Sequence, residues 1–525
     1  MRKATMFLFI GLFLLFMAGC GNQVNTAPVS NPATANVPVG LTVTDTPPAG
    51  VTVLFFQLSI TGATLTSSTG TTVSLLPSTN PVPINVSQLL TDSAFLGNQN
   101  VPEGTYTLSL TFSPNTQLTI FNGSGATIGS GANACANNTV CLLTPSTTGS
   151  LTLPFTTAPF PITLTANSPL AFKVDIHLNT VIQSDSSGNP TVNLAATNGV
   201  TISELPTPPS GGPVPGLGHL TGTIQSLITN GFTLQTRDGR TFTVDVNSST
   251  TYNYPSSVCS ADNSTCLATQ QVVKVEVSLQ TGGTLLASEV NYVQQGGETI
   301  VEGNIIRLST SGSNMLMDLI LQKGPAAPST LPMGHPVTVT VPLASGVVAY
   351  AIDSGSFTLP IPPTTYALSF ASASDLIVGQ EVSVVVQGSV TTASGSGSSS
   401  PWAGPAPITF TASSITLEPS QITGSVAAVN VPQLSFTLST LPNFFVPPAA
   451  TAGAPPIWVP VNITVLTTGA TTFLPTTLTP DSISGLAIND VVSVEGWVFS
   501  TPTGPTTITL AAETVLDRGS ATAPF

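Results

Sequence analysis

Leu220-Thr221-Gly222-Thr223-Ile224 returns twice along the chain, as Val301-Glu302-Gly303-Asn304-Ile305 and as Ile422-Thr423-Gly424-Ser425-Val426. The same succession follows each copy. First comes an apolar strand, centred on Phe232 and Leu234, on Leu316, or on Phe436 and Leu438. Next is an alternating strand, carried by Phe242, Val244 and Val246, by Val337, Val339 and Val341, or by Val461, Ile463 and Val465. A further strand keeps its spacing: Leu267 to Val273 and Val275, Leu376 to Val382 and Val384, Leu486 to Val492 and Val494. Each unit closes on Ala287 to Val290, Ala412 to Ile415 or Ala512 to Val515. Order kept across copies marks repeated units, and period-two alternation marks strands. Five short strands per unit predict a small closed or nearly closed barrel, OB-like in outline, because closure removes exposed sheet edges. The opening glycine is expected at a bulge or sharp bend. Asp238-Gly239 predicts a two-residue hairpin.

The three units span 218–299, 300–420 and 421–518, with a tail over 519–525. Thr391 to Pro407 and Pro442 to Pro460 read as mobile loop insertions. Upstream, Pro206 to Leu217 is a Pro/Gly linker. Residues 38–205 before it read as one antiparallel β-sandwich. Val51 to Ile60 is strongly apolar, and Tyr106, Leu108 and Leu110 alternate with Thr107, Ser109 and Thr111. Phe172, Val174, Ile176 and Leu178 share one strand face, and Lys173, Asp175 and His177 the other. The fold class expected is therefore all-β: a sandwich followed by three tandem barrels.

Composition agrees. Charged residues are 6% of the 525, against about 25% in an average soluble domain. Strand-favouring Thr and Val take up much of the difference. The net charge of −14 argues against nucleic acid as a partner, since that needs a basic face to displace phosphate counterions.

The beginning of the chain reads as an export signal. Arg2 and Lys3 precede an apolar run from Met6 to Met17, too short to span a bilayer. Met17-Ala18-Gly19-Cys20 resembles the lipobox of bacterial lipoproteins, with Met where Leu is usual. The resemblance implies cleavage of residues 1–19, lipid on Cys20, and a membrane partner reached through that anchor. Gly21 in place of Asp favours the outer membrane. Residues 20–37 read as a flexible tether. Two further resemblances concern the body. Leu41 to Pro47, Val101-Pro102-Glu103-Gly104-Thr105-Tyr106 and Lys173 to Ile176 look like a bacterial lipoprotein domain family of unknown function. Its Pro-x-Gly-x-Tyr hairpin is similar to those of prealbumin-like, carbohydrate-binding-like sandwiches. The three repeats resemble a second uncharacterised family, found as tandem small barrels in envelope proteins.

Reactive constellations are few. Cys135 with Cys141 and Cys259 with Cys266 are expected as two local disulfides. The alternative, a metal site, would need His or Cys close by. No cofactor is expected. His219 and His335 read as solvated loop residues. Asp175 and His177 form a candidate ligand-binding face, or simply the wet side of a strand. Asp185-Ser186-Ser187-Gly188-Asn189 reads as a turn. Trp402 and Trp458, in the Pro/Gly-rich insertions, are candidates for stacking on sugar, and Trp497 for packing. The function expected is non-catalytic: binding of polysaccharide, cell wall or an envelope protein. The alternative is a spacer or assembly subunit of the envelope.

Overall fold

The computed structural model describes residues 36–520 apart from 47–51, 77–79, 90–92, 124–125, 132–133, 144, 146–149, 208–211, 256–257, 262, 297–298, 324–332, 356, 361–367, 393–407, 441–461, 475–481 and 501–506. The leader, Cys20, Trp402 and Trp458 lie outside the described residues.

The three repeats fold into barrels of one topology. In the first, His219–Ile228, Gly231–Thr236, Thr241–Asp245, Gln271–Leu279 and Leu285–Gln295 are strands one to five. Strand one pairs with two and with four, two with three, three with five in parallel, and four with five. The order 1-2-3-5-4-1 closes the barrel in the OB arrangement. The second unit repeats it with Thr299–Ser311, Asn314–Lys323, Pro336–Pro342, Glu381–Thr392 and Ile408–Glu418. The third does so with Ser420–Asn430, Ser435–Thr440, Asn462–Leu466, Asp490–Ser500 and Thr507–Ser520. Short strands Thr251–Asn253, Ala349–Ile352 and Thr472–Leu474 each run parallel to strand five of their barrel.

The repeated glycine sits where two strands cross closely. A Cβ on Gly222, Gly303 or Gly424 would lie 2.4, 2.0 or 2.8 Å from the carbonyl oxygen of Gln235, Ile320 or Ser439. Only glycine fits so near a backbone. The bulge follows, between Ile224 and Ser226, Ile305 and Arg307, and Val426 and Ala428. The Asp238-Gly239 turn differs from the expectation. Thr236 pairs with Arg240, so the loop holds three residues, and Gly239 takes φ +86° at its last position. That is the three-residue hairpin, which needs a left-handed residue at that point.

A second repeated device fixes the turn before strand four. Gln271, Gln380 and Asp490 are buried, and each accepts from a backbone N–H three residues earlier: Ala268 (2.8 Å), Ile377 (2.8 Å) and Ala487 (2.6 Å). The residue before each, Gln270, Gly379 or Asn489, has positive φ and donates its N–H to Ile224, Ile305 or Val426 of strand one.

The first domain is a sandwich. One sheet orders Val200–Glu204, Leu170–His177, Asn36–Thr46 and Ala94–Pro102. The other orders Ile162–Leu164, Gly104–Phe112, Thr52–Ser67, Gln117–Asn122 and Thr139–Leu143. Leu41, Val43, Phe172 and Val174 meet Leu58, Leu65, Leu108 and Leu110 in a common core. Asn36–Thr46 and Leu170–His177 run parallel, so this sheet is mixed. Pro102-Glu103-Gly104-Thr105-Tyr106 is a corner rather than a hairpin: its flanking strands belong to opposite sheets. The buried Tyr106 hydroxyl donates to the Pro102 carbonyl at 2.9 Å and ties the corner.

The four domains pack as one body. Val214 and Leu217 of the linker are buried, and their N–H groups donate to Leu279 and Val277 of barrel one. Barrel two is the hub. Its core is continuous with Leu54, Phe55 and Phe121 of the sandwich and with Trp497 and Phe499 of barrel three. Polar ties reinforce this: Thr119 Oγ1 donates to Gly334 O at 2.7 Å, and Gln380 Nε2 to Val498 O at 2.9 Å.

Candidate functional site

Where the four domains meet lies a half-open cavity of about 1830 Å³. Its walls come from the outer faces of barrel strands. Along Gln271–Leu279, Val273, Val275 and Val277 are buried in the barrel, so Lys274 and Glu276 point outward into the cavity. Glu289 does the same from strand five. Barrel two adds Glu302, Lys323, Asp353, Glu381 and Glu418, and barrel three Glu495 and Glu513. The sandwich contributes uncharged side chains, among them Gln57, Asn85, Ser87 and Gln88. With Arg237, Asp238 and Arg240, nine of the chain's 23 acidic and four of its nine basic residues line this one space. In a chain that is 6% charged, no composition-driven scatter explains that.

Each charge has defined surroundings. Lys323 pairs with Glu302, its neighbour across strands one and two. Burial disfavours the Lys323 ammonium, yet Glu302, Glu381 and Glu418 around it hold its pKa above the ordinary lysine value. Half of its side chain still faces open space in the cavity. Glu381 is buried. It accepts from Gln88 Nε2 at 2.6 Å and from Asn304 Nδ2 at 3.5 Å. Burial, with Glu302 nearby, pushes its carboxyl up to about 8. Burial and then Asp353 and Glu302 push Glu418 well above the usual carboxylate range. Glu513 rises to about 7, through burial and then Glu495. Asp353 is raised chiefly by burial, and its carbonyl accepts from Trp497 Nε1 at 2.8 Å. Desolvation and crowding of like charges both favour the neutral acid, and here they act together. Glu381 therefore favours its protonated form at neutral pH.

The other sequence candidates lie elsewhere. Asp175 and His177 are partly exposed on the sandwich and do not line the cavity. His177 Nε2 is 3.0 Å from Thr201 Oγ1 and 3.8 Å from Asp175 Oδ2. His219 opens a strand and faces the cavity, so it is not the loop residue expected; His335 lies in the bend before Pro336, as expected, but is half-buried rather than solvated. Trp497 is buried and stacks on Phe357 at 5.3 Å. Cys135–Cys141 and Cys259–Cys266 are disulfides. Asp185 closes its turn by accepting from Ser187 and Asn189 N–H groups, which lower its pKa. Among the described residues no group of His, Cys, Asp and Glu is placed to hold a metal ion, and no helix is long and apolar enough to cross a membrane. The two disulfides accord with an extracytoplasmic location.

The cavity carboxylates escaped the sequence reading because they belong to different repeats and converge only in three dimensions. One signal was available: polar positions between the repeat valines, such as Lys274, Glu276 and Glu495, carry charge in a chain that otherwise avoids it.

A domain family of unknown function, DUF5666, matches residues 221–291, which is most of barrel one and well under half of the chain. Among curated proteins there is no match.

Proposed function

We propose that this protein is an exported, lipid-anchored envelope protein that binds, without catalysis, a cell-wall or envelope polymer bearing positive charge, and that the four-domain cavity is its site. The observation that carries this reading is the gathering of 13 charged side chains in one concavity. The cavity exceeds the roughly 300–1,000 Å³ of small-molecule sites, which suits a polymer segment better than a metabolite. The excess of acid over base favours amino groups on the ligand. A spacer would gain from barrels strung end to end; four domains sharing cores and hydrogen bonds speak against that alternative.

The test is retention on peptidoglycan, polysaccharides and envelope extract, using protein with Cys20→Ser. Glu302→Gln and Glu276→Gln are expected to weaken retention at least about tenfold, one lost charged contact being worth that much. Loss only in Trp402→Ala and Trp458→Ala would move the site to the insertions. No retention at all would favour the spacer. Turnover of a glycan, lost in Glu381→Gln, would convert the reading to a hydrolase.

A further inference from the structure

The closed arrangement of the domains passes through one of the same carboxyls, Glu381, with the others facing it across the cavity. Gln88, at the end of the short helical turn Val86–Gln88 of the sandwich, is the meeting point. Its side chain donates to Glu381 of barrel two, and its carbonyl accepts from Gln421 Nε2 of barrel three at 2.8 Å. The Glu381 N–H donates to Ser420 Oγ, where barrel three begins. Nearby, Asn85 Nδ2 donates to Gln322 Oε1 at 2.5 Å, beside Lys323. The sandwich thus rests on barrels two and three through neutral amides, one of which sits on the Glu381 carboxyl.

The charges facing this contact are unbalanced. Glu302, Lys323, Asp353, Glu381 and Glu418 come from barrel two, Glu495 and Glu513 from barrel three, and Lys274, Glu276 and Glu289 from barrel one. That is eight carboxyls against two ammonium groups. Arg240 is engaged apart from them, pairing with Asp238 and donating to Leu96 O at 2.5 Å. Arg237 and His219 lie on the same barrel-one wall, with Tyr252, Tyr254 and Tyr292. Among the described residues the sandwich brings no charge to the lining.

We propose that these carboxyls form a proton-operated latch: protonated, they let the sandwich and barrels close on one another, and ionised, they repel across the cavity and loosen that docking. The raised pKa values give the direction. A carboxyl that holds its proton to about 8 (Glu381) or about 7 (Glu513) in the closed state, and releases it nearer its ordinary value when freed, favours closure. That contribution is complete below the ordinary carboxylate range. It is lost as pH rises through 7 to 8. The latch does not depend on what the cavity binds, so it stands or falls separately from the ligand reading.

The experiment is amide hydrogen exchange on the full mature lipoprotein in detergent micelles, at pH 5.5 and pH 8.5, corrected for intrinsic rates. Amides of Val86–Gln88, and the Glu381 amide that donates to Ser420 Oγ across the contact between barrels, are expected to lose about tenfold in protection at the higher pH, the equivalent of one pKa unit. Strands inside each barrel, such as Val273 to Val277, should keep theirs. Glu381→Gln with Glu418→Gln should flatten the difference, since the amides mimic the protonated acids. Lys323→Met, which removes a charge that lowers the pKa of Glu381 and Glu418, should deepen the loss of protection at pH 8.5. Glu204→Gln, on an exposed sandwich edge, should change nothing. Equal interface protection at the two pH values would overturn the proposal, as would an undiminished pH dependence in the folded double variant.

Discussion

Single residues set the barrel geometry more sharply than the apolar pattern does. The Cβ of alanine at Gly303 would meet the Ile320 carbonyl at 2.0 Å, so the backbones must part. Gly303→Ala is expected to cost about 1–3 kcal/mol, the range for overpacking, read as a shifted denaturant midpoint. Gln380 carries more than its own turn. Its amide accepts from Ile377 N and donates to Asp375 O and Val498 O, so it also docks barrel three. Gln380→Leu leaves those backbone groups unpaired and should cost about 1–3 kcal/mol for each one that stays buried. Gln271→Leu spares the inter-barrel bond but leaves the buried Tyr254 hydroxyl without its acceptor, so it should cost about as much by the same assay, with barrel three still docked. The glycine was plain in the sequence because it recurs. The glutamine was not, since Asp490 replaces it in the third unit and only a shared contact relates them.

At the scale of elements, each strand's apolar face was legible and each polar face was not. Alternation says that Val273 and Val275 share a side; it does not say what Lys274 and Glu276 will meet. Local turns fared in between. Asp238-Gly239 marked a hairpin, but the extra residue depends on how strands two and three pair, as it does for the corner at Pro102 to Tyr106. The Cys259–Cys266 disulfide closes a short loop ahead of strand four in barrel one. The loop's length sets the effect. Cys259→Ser with Cys266→Ser should lower stability by about 2 kcal/mol, by urea titration, with the barrel still folded.

Across the whole molecule, the repeat disclosed three barrels but not their convergence. Docking rests on Leu54 and Phe55 meeting barrel two, on Trp497 meeting Asp353, and on amides such as Gln88. None of these stands out in the chain, because an apolar or amide side chain at an interface looks like any other. The convergence is what makes a charge-poor protein locally acidic, with a consequence for pH. Carboxyls raised in the folded state contribute stability that is full below their ordinary range and lost up to about 8. Thermal stability should therefore fall between pH 5 and pH 8.5, and Glu513→Gln should reduce the fall; a midpoint that rises with pH would contradict this. The most direct test of the account is small-angle X-ray scattering of the four-domain chain at pH 5.5. Four domains closed around one cavity predict a folded body with a radius of gyration of about 23 Å, the value for a compact chain of this length. A radius approaching twice that would mean barrels strung out along the chain, and a cavity that does not exist in solution.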